Sequence, residues 1–418
     1  MTVRYPVRAV TPDEFEAYCE VPTLAFADAT VSPEQVEHER LVFEFDRSLA
    51  AFDGDAMVGT SAAYTFQLTV PGGTAAAAGV TFVGVVPTHR RRGILSAMMR
   101  QQLADIVERG EAIAVLWASE TAIYGRYGYG CASGILKHTI RRGEGALTPA
   151  AAGQAKAGGV RLRAGKPADL RADLCKVYDA AVPRRPGMLA RDTRWWDSVL
   201  NDPQFFRDGM STRQCLLAED DSGPLGYALY RTKPDWDDGL PCGKLAIREL
   251  IADGAAATAA LWADLLTRDL MAEVTAHQRP VDDPLLDILA DRRRARSRLS
   301  DGIWARLTDV PAALTQRGYA CAADVVIEVT DEVLPANAGR WRLQVPGPGD
   351  GGKVSCERTT ADADVALPVS VLGACYLGGT RLASLVTAGL VAERKPGALA
   401  RLSTALSCDP APWCPSNF

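Results

Sequence analysis

Several common signatures of function are missing from this sequence of 418 residues. Its ten cysteines form no Cys-x-x-Cys pair, and its four histidines show neither zinc-ligand nor nucleophile spacing. That pattern is typical of reduced thiols, not of a disulfide framework or a zinc site. The sequence also lacks a Walker lysine motif and a dinucleotide Gly-x-Gly-x-x-Gly motif, which disfavours ATP and NAD as ligands. We therefore expect chemistry that uses no metal.

Long apolar runs and a basic excess are absent as well. No run of about 18 apolar residues occurs, so we expect no membrane span. Residues 1–6 show no secretory signal, which favours a cytoplasmic location. The 46 Lys and Arg are balanced by 51 Asp and Glu, whereas a dedicated nucleic-acid binder shows a strong basic excess. We therefore predict neither a nucleic acid nor a membrane as a partner.

The composition is that of an ordinary globular protein, with 47% hydrophobic and 23% charged residues. The length suggests two or three domains. In the first segment, Asp53-Gly54-Asp55 between apolar runs predicts a hairpin, followed by a strand at 80–86 and a helix at 94–107. The Ala- and Gly-rich residues 146–158 resemble a linker.

After residue 158 the pattern starts again. Strand and turn signals at 160–169 and 215–230 echo the first segment, and 245–270 repeats its strand, turn and helix without the arginines. We interpret this as two copies of one α/β unit, the alternative being two unrelated α/β domains. From about residue 303, two strands (325–329 and 341–345) and three short helices (369–377, 381–390 and 398–406) predict an α+β segment. Its proline-rich tail cannot be helical.

The stretch that indicates chemistry is residues 83–95, with the sequence VGVVPTHRRRGIL. An apolar strand ends at Pro87, an arginine-rich turn follows, and a helix opens after Gly93. A helix N-terminus offers unpaired N–H donors and a positive dipole end, which suit a pyrophosphate. Gly93 permits close approach of the ligand to the backbone. The turn therefore predicts a site for a small anionic ligand.

This stretch resembles the coenzyme A loop of the GNAT acetyltransferase superfamily, although Leu95 departs from its final Gly or Ala. Residues 117–130, WASETAIYGRYGYG, resemble a segment of the Eis (enhanced intracellular survival) acetyltransferases, and residues 282–285 and 309–314 look similar to that family too. The resemblance implies an α/β (α+β) fold in three parts. These are a catalytic GNAT domain at 1–150, a degenerate GNAT-like domain at 151–300, and a sterol-carrier-protein-like domain at 301–418.

The family also implies roles for individual residues. Tyr124 would be the general acid, although the residues alone do not choose among Tyr124, Tyr127 and Tyr129. The terminal carboxylate of Phe418 would be the base, the alternative being a tail that is merely ordered. By the same resemblance, backbone groups of the strand before Pro87 would hold the pantetheine arm of acetyl-CoA, at Phe82, Val83 and Val85. Its phosphates would be held by the turn, at Arg90, Arg91, Arg92, Gly93, Ile94 and Leu95. Ser119 would lie beside the cofactor amide.

An amine acceptor is a cation, so its pocket should carry carboxylates. The resemblance assigns this role to Asp28 and, through an ambiguous alignment, to Asp291. Glu120 lies in the motif, where its side chain faces either the pocket or away from it. Asn417 stands where well-known members have an acidic residue, which predicts a less negative pocket.

The resulting hypothesis is an acetyl-CoA-dependent N-acetyltransferase of polycationic small molecules, with aminoglycoside antibiotics as the expected class and a homohexamer as the expected assembly. The same chemistry on protein lysines, peptides or small amines is the alternative. A lipid or sterol carrier is disfavoured, because the C-terminal segment has no long apolar run and fold alone does not establish function.

Overall fold

The computed structural model describes residues 5–28, 30–347 and 352–418. It divides into two compact units. The first contains Met1–Ser133, Ile303–Pro412 and Ser416–Phe418, and the second contains Gly134–Gly302 and Trp413–Pro415. Within the described residues, no helix has the length and apolar character needed to cross a membrane.

The strands follow one another along the chain as β1 (Val7–Arg8), β2 (Ser48–Asp53), β3 (Ala56–Val70), β4 (Gly73–Val85), β5 (Ile113–Trp117), β6 (Gly130–Cys131), β7 (Gly134–Arg141), β8 (Arg161–Gly165), β9 (Gln214–Asp220), β10 (Gly223–Lys233), β11 (Trp236–Asp237), β12 (Leu240–Pro241), β13 (Gly243–Ala252), β14 (Met271–Pro280), β15 (Arg298–Asp301), β16 (Ile303–Leu307), β17 (Ala323–Thr330), β18 (Gly339–Val345), β19 (Ser355–Arg358), β20 (Val365–Pro368) and β21 (Ala392–Glu393).

The α-helices are α1 (Phe15–Ala25), α2 (Pro33–Arg40), α3 (Ile94–Glu108), α4 (Thr121–Tyr124), α5 (Pro149–Ala157), α6 (Arg171–Ala181), α7 (Thr193–Leu200), α8 (Ala255–Leu266), α9 (Leu285–Ile288), α10 (Val310–Thr315), α11 (Val369–Tyr376), α12 (Leu382–Thr387) and α13 (Ala398–Leu406).

The first unit contains a mixed seven-stranded sheet with the order β1-β2-β3-β4-β5-β16-β6. The predicted hairpin is confirmed, since β2 and β3 pair antiparallel on either side of Gly54. Strands β4 and β5 are parallel. Helix α3 buries Met99, Leu103 and Ile106 among residues of β4 and β5. Helix α1 contributes Phe15 and Tyr18 to a separate cluster with β2 and β3.

The C-terminal part of the first unit is a five-stranded sheet with the order β19-β18-β17-β20-β21. Helices α11, α12 and α13 come after strands β17 to β20 in the chain. The predicted α+β character of this segment is therefore confirmed. The chain after residue 406 contains no helix, as its prolines predict.

The second unit repeats the sheet plan of the first. Its order is β15-β7-β14-β13-β10-β9-β8, and β13 and β14 are its parallel pair. Antiparallel strands lead into a parallel pair in both units, with α8 taking the place that α3 takes in the first. The interpretation as two copies of one unit agrees with this arrangement.

Three segments differ from what the sequence pattern suggests. Strand β7, within residues 1–150, pairs with β14 of the second sheet. Strand β16, which lies after residue 300, pairs with β5 and β6 of the first sheet. The expected linker at 146–158 contains helix α5, because Thr148 caps its N-terminus and Pro149 occupies the first turn. The alanine- and glycine-rich composition had predicted a linker and did not indicate this helix.

Candidate active site

A β-bulge in strand β4 shapes the site. Thr60 of β3 pairs with Gly84, but Ala62 pairs with Thr81, so two residues, Phe82 and Val83, stand opposite one. The backbone of Phe82 adopts a φ of 53°. The Thr60 hydroxyl donates a 2.7 Å hydrogen bond to the Phe82 carbonyl and holds the bulge. A bulge of this kind bends its strand and interrupts the ladder, as is common beside active sites.

Strands β4 and β5 separate just before the bulge. Their parallel pairing ends at Val80 and Leu116, although β4 continues to Val85. A cleft of about 500 Å³ opens there. Among the predicted residues, its lining includes Val83, Val85, Arg90, Arg91, Gly93, Ile94, Leu95, Ser119 and Tyr124. Phe82, Arg92, Asp28 and Phe418 lie outside this lining as the described residues define it.

The N-terminus of helix α3 faces this cleft through Gly93, Ile94 and Leu95. Gly93 has a φ of 83° in the left-handed region, and no side chain caps the first turn. The amides of that turn are therefore available to an anion, reinforced by the helix dipole. The predicted phosphate-binding turn has the geometry that such a site requires.

The three arginines of the turn are placed differently from one another. Arg90 donates a 2.6 Å hydrogen bond to the Ala25 carbonyl at the end of α1. Arg92 donates to the Tyr5 hydroxyl at 3.1 Å, away from the cleft. Arg91 is exposed and lines the cleft, with a φ of 63°. Of the three, Arg91 is the guanidinium best placed for a ligand.

Three tyrosines follow the cleft wall, and their surroundings distinguish them. Burial raises the pKa of Tyr124 to about 12, with a hydrogen bond from the Ser119 side chain acting in the opposite direction. The Tyr127 hydroxyl is hydrogen-bonded to Ser96 at 3.0 Å. Tyr129 is 1% exposed, and its hydroxyl has no hydrogen-bond partner within the described residues. Tyr124 and Tyr127 both line the cleft, and the phenol of Tyr124 is neutral at ordinary pH.

A buried arginine supports the turn that carries these tyrosines. Arg306 of β16 is fully buried, and both oxygens of Asp331 accept hydrogen bonds from it at 2.9 and 2.7 Å. Gly128 has a φ of 84°, and a Cβ added there would lie 2.8 Å from the Arg306 guanidinium carbon. Val333 and Leu334 pack against the tyrosine cluster. Sequence reasoning missed this support, because its partners lie far apart in the chain.

The C-terminal tail is held by backbone and aromatic contacts. In the second unit, the Trp413 indole N–H donates to the Gln278 carbonyl at 2.5 Å, and its backbone N–H donates to Pro186 at 2.8 Å. Trp413 also packs in a core cluster of that unit. These contacts fix Trp413 within the second unit.

The last three residues belong to the first unit. The Ser416 carbonyl accepts a 3.0 Å hydrogen bond from the Trp117 indole N–H, two residues before Ser119. The Phe418 ring meets Phe66 of β3 edge to face, with 5.0 Å between ring centroids. The terminal residue is therefore packed against the first sheet.

The predicted acidic residues have separate surroundings. Asp28 is exposed and lies two residues beyond Phe26, which lines the cleft. Glu120 is among the residues that line the cleft. Asp291 belongs to the second unit, where its carboxylate caps a short 3-10 helix and contacts Arg294 at 3.2 Å. Its carboxylate is thus already engaged in local contacts.

Comparisons with known proteins agree with this geometry. Residues 6–132 and 187–307 each match the description "Acetyltransferase (GNAT) domain", and residues 310–415 match "Sterol carrier protein domain". An uncharacterized N-acetyltransferase of Streptomyces avermitilis is 44% identical over 415 residues, 99% of each chain. N-acetyltransferase Eis of Mycobacterium tuberculosis is 33% identical over 408 residues, 96% of each chain.

Solved structures show the same architecture. Eis1 from Mycobacterium abscessus has a TM-score of 0.81 and 32% identity, covering 99% of this chain and all (100%) of its own. A GCN5-related N-acetyltransferase from Anabaena variabilis, at 19% identity and a TM-score of 0.83 over 99% of this chain and 100% of its own, shares the fold. With two GNAT domains, a sterol-carrier-like domain and relatives along nearly its whole length, this chain belongs to the Eis family of N-acetyltransferases.

Proposed function

We propose that this enzyme transfers the acetyl group of acetyl-CoA to amines of polycationic small molecules, with aminoglycosides as the acceptor class and more than one amine acetylated. The observation that supports this most directly is the cleft in which the separated strands, the uncapped start of α3 and Tyr124 come together. Transfer is direct, with no covalent enzyme intermediate.

Acetyl-CoA fits the chemistry of this cleft. GNAT acetyltransferases use acetyl-CoA, whose thioester supplies an activated acetyl group. The amides of Gly93, Ile94 and Leu95 and the guanidinium of Arg91 would hold its phosphates. Backbone groups of β4 past the bulge, at Val83 and Val85, would hold the pantetheine arm.

Tyr124 would donate a proton to the departing thiolate. Its phenol is protonated at neutral pH, since burial raises its pKa to about 12. A thiol of ordinary pKa, about 8.5, is more acidic than this phenol, so full transfer is uphill. Tyr124 therefore acts best by hydrogen bonding to the developing negative charge as the C–S bond breaks.

The terminal carboxylate of Phe418 would accept the proton that the amine loses. An α-carboxylate has a pKa near 3.5 in water and is a weak base there. Partial desolvation beside the Phe66 ring, or a water molecule between the groups, would strengthen it. The packed tail fixes its position, which a mobile terminus would not.

The acceptor specificity rests on charge. Asp28 and Glu120 lie at or near the cleft, and each can attract an ammonium group of a polycation. We retain Asp291 as a second acceptor contact only through the family resemblance, because its carboxylate caps a helix. Asn417 is uncharged and exposed, so the pocket carries less negative charge than one with an acidic residue there.

A panel of amines tests the substrate class. Release of free coenzyme A should be fastest with kanamycin-type aminoglycosides, and mass spectrometry should detect products with two or more acetyl groups. The panel includes a histone-like lysine peptide, spermidine and an arylalkylamine, with the Tyr124→Phe variant as the background control. Turnover of the peptide or simple amines but not of aminoglycosides would assign the alternative acceptors. Hexameric assembly stays a prediction that light scattering can test.

A further inference from the structure

The second unit contains a cluster of cations that the acetyltransferase mechanism does not use. Asp202 follows helix α7, Arg207 and Arg213 lie in the segment before β9, and Arg231 lies on β10. The guanidinium groups of Arg207 and Arg231 and the backbone N–H of Arg213 contact the single carboxylate of Asp202. We call Asp202, Arg207, Arg213 and Arg231 the arginine cluster.

The contacts at Asp202 show how close these groups are. One carboxylate oxygen pairs with a terminal nitrogen of Arg231, whose other terminal nitrogen donates to the Ser211 carbonyl at 3.0 Å. The second oxygen accepts the Arg213 backbone N–H at 2.8 Å and lies 3.5 Å from Nε of Arg207. Asp202 is therefore shared by three arginine residues.

The charges of the cluster do not balance. Asp202 supplies one negative charge against three guanidinium groups. The neighbouring carboxylate, Glu249, is already bound by Arg191 at 3.1 and 2.6 Å. Burial, and then repulsion from Arg231, lower the pKa of Arg213 to about 10. An arginine with a lowered pKa lies in an environment that disfavours its charge.

The hydrogen-bonding capacity of the cluster is also incomplete. The Nε atoms of Arg207, Arg213 and Arg231 are buried and have no hydrogen-bond partner within the described residues. The Arg231 side chain is only 1% exposed. Buried polar groups in native proteins are normally satisfied, and leaving such a donor without an acceptor is costly. An anion that accepts from several guanidinium groups would supply both the charge and the acceptors.

We propose that the arginine cluster binds a small oxyanion with two negative charges, a phosphate or sulfate group. Guanidinium groups present planar sets of donors that match such oxygens, and those of Arg207 and Arg231 meet here at Asp202. The phosphate is either the free ion or the phosphoryl group of a metabolite. This site is separate from the coenzyme A cleft, which lies in the first unit, and does not depend on the proposed acceptor.

Arg213→Gln is the variant that tests this site, and Arg161→Gln is its matched control. Arg161 lies in the same unit in an exposed ion pair with Asp221, remote from Asp202 in its contacts. Thermal unfolding of the full chain is recorded in chloride and in inorganic phosphate at equal ionic strength, with calorimetric titration of phosphate as the direct measurement. Phosphate binding at the α3 turn is common to all three proteins, so only differences between them count.

We expect wild type and Arg161→Gln to gain more thermal stability from phosphate than Arg213→Gln, whose affinity at this site falls at least about tenfold. In chloride, Arg213→Gln should be more stable than wild type, because a repelled cation is removed. Equal phosphate gains in all three proteins would overturn the proposal. If Arg213→Gln does not fold, Arg207→Gln gives the same comparison. Glycerol phosphate distinguishes the sources: tighter binding than inorganic phosphate assigns a phosphorylated metabolite, and weaker binding the free ion.

Discussion

At the scale of single residues, the tyrosines that the sequence alone could not rank have different surroundings. The motif offered three phenols with no basis for a choice from the residues alone. In the structure, Tyr124 and Tyr127 both line the cleft, and the Tyr127 hydroxyl is hydrogen-bonded to Ser96. The Tyr129 hydroxyl is buried without a hydrogen-bond partner among the described residues. The proposal that Tyr124 is the acid therefore rests on the family resemblance and on its place in the cleft, with the hydroxyl of Tyr127 already bonded to Ser96.

Replacing Tyr124 with Phe should reduce kcat by about 10²–10⁴-fold, the usual contribution of a positioned acid. KM for acetyl-CoA should change little, because the phosphate contacts lie elsewhere. Tyr129→Phe is the control: it removes a hydroxyl that makes no hydrogen bond to any residue the structure describes, so kcat and stability should both be nearly unchanged. Steady-state kinetics of both variants make the comparison, and a larger loss in Tyr129→Phe would reassign the role.

The pH profile gives an independent measure of Tyr124. A general acid works in its protonated form, so activity is lost as pH rises through its pKa. Because burial raises that pKa to about 12, the loss moves upward in pH. We expect kcat at saturating acceptor to show no decline between about pH 8 and 10. An ordinary tyrosine, with a pKa of about 10, would be half deprotonated at the upper end of that range. A decline with a midpoint below pH 10 would contradict Tyr124 as that acid.

At the scale of elements, helix α3 is bounded by two glycines with left-handed backbone. Gly93 precedes it with a φ of 83°, and Gly110 follows it with a φ of 73°. A Cβ at either position would meet no atom within 4 Å. Substitution by Ala at either position therefore carries a similar backbone cost, about 1 kcal/mol, without a steric clash.

Only one of the two glycines faces the cleft, which makes them a matched pair. Gly93→Ala should raise KM for acetyl-CoA, since the shifted turn misaligns the amides that hold the phosphates. Gly110→Ala should leave that KM unchanged. It should lower the melting temperature by about as much as Gly93→Ala does. Equal KM values for the two variants would show that the start of α3 does not bind the cosubstrate.

The second prediction at this scale concerns Arg306, which lies on strand β16. Asp331→Asn removes the charge that balances the fully buried guanidinium, and breaking a buried pair in this way costs about 3–5 kcal/mol. Asp324→Asn breaks an ion pair with Arg342 that is about half exposed, where a loss of about 0–1 kcal/mol is expected. Urea unfolding separates the two. Because Arg306 packs against Gly128, Asp331→Asn should also lower kcat.

Local patterns predicted the elements of the site well and their long-range partners poorly. Turn residues and helical spacing predict the hairpin at Gly54, the arginine-rich turn before Gly93 and the helix that begins at Ile94. The bulge at Phe82 leaves no such signal, because a residue with positive φ that is not glycine is set by its partner strand. The ion pair of Arg306 with Asp331 was equally hidden, since neither residue belongs to a motif.

At the scale of the whole molecule, the end of the chain is a packed element. Ser416 and Phe418 contact Trp117 and Phe66, so residues added after Phe418 must displace these contacts or project from them. A C-terminal hexahistidine extension should abolish acetyl transfer while leaving acetyl-CoA binding and the melting temperature nearly unchanged. The same extension at the N-terminus is the control. Full activity of the C-terminally extended enzyme would remove the terminal carboxylate from the mechanism.

The position of β16 has a consequence during synthesis. It pairs with β5 along residues 113–117, yet it is made some 190 residues later. While the ribosome translates the intervening chain, the nascent N-terminal sheet presents β5 as an open edge, and exposed edges invite aggregation. A fragment ended near residue 150 would keep that defect permanently. Production of residues 1–150 alone should therefore yield insoluble material, unless residues 303–307 are supplied by fusion.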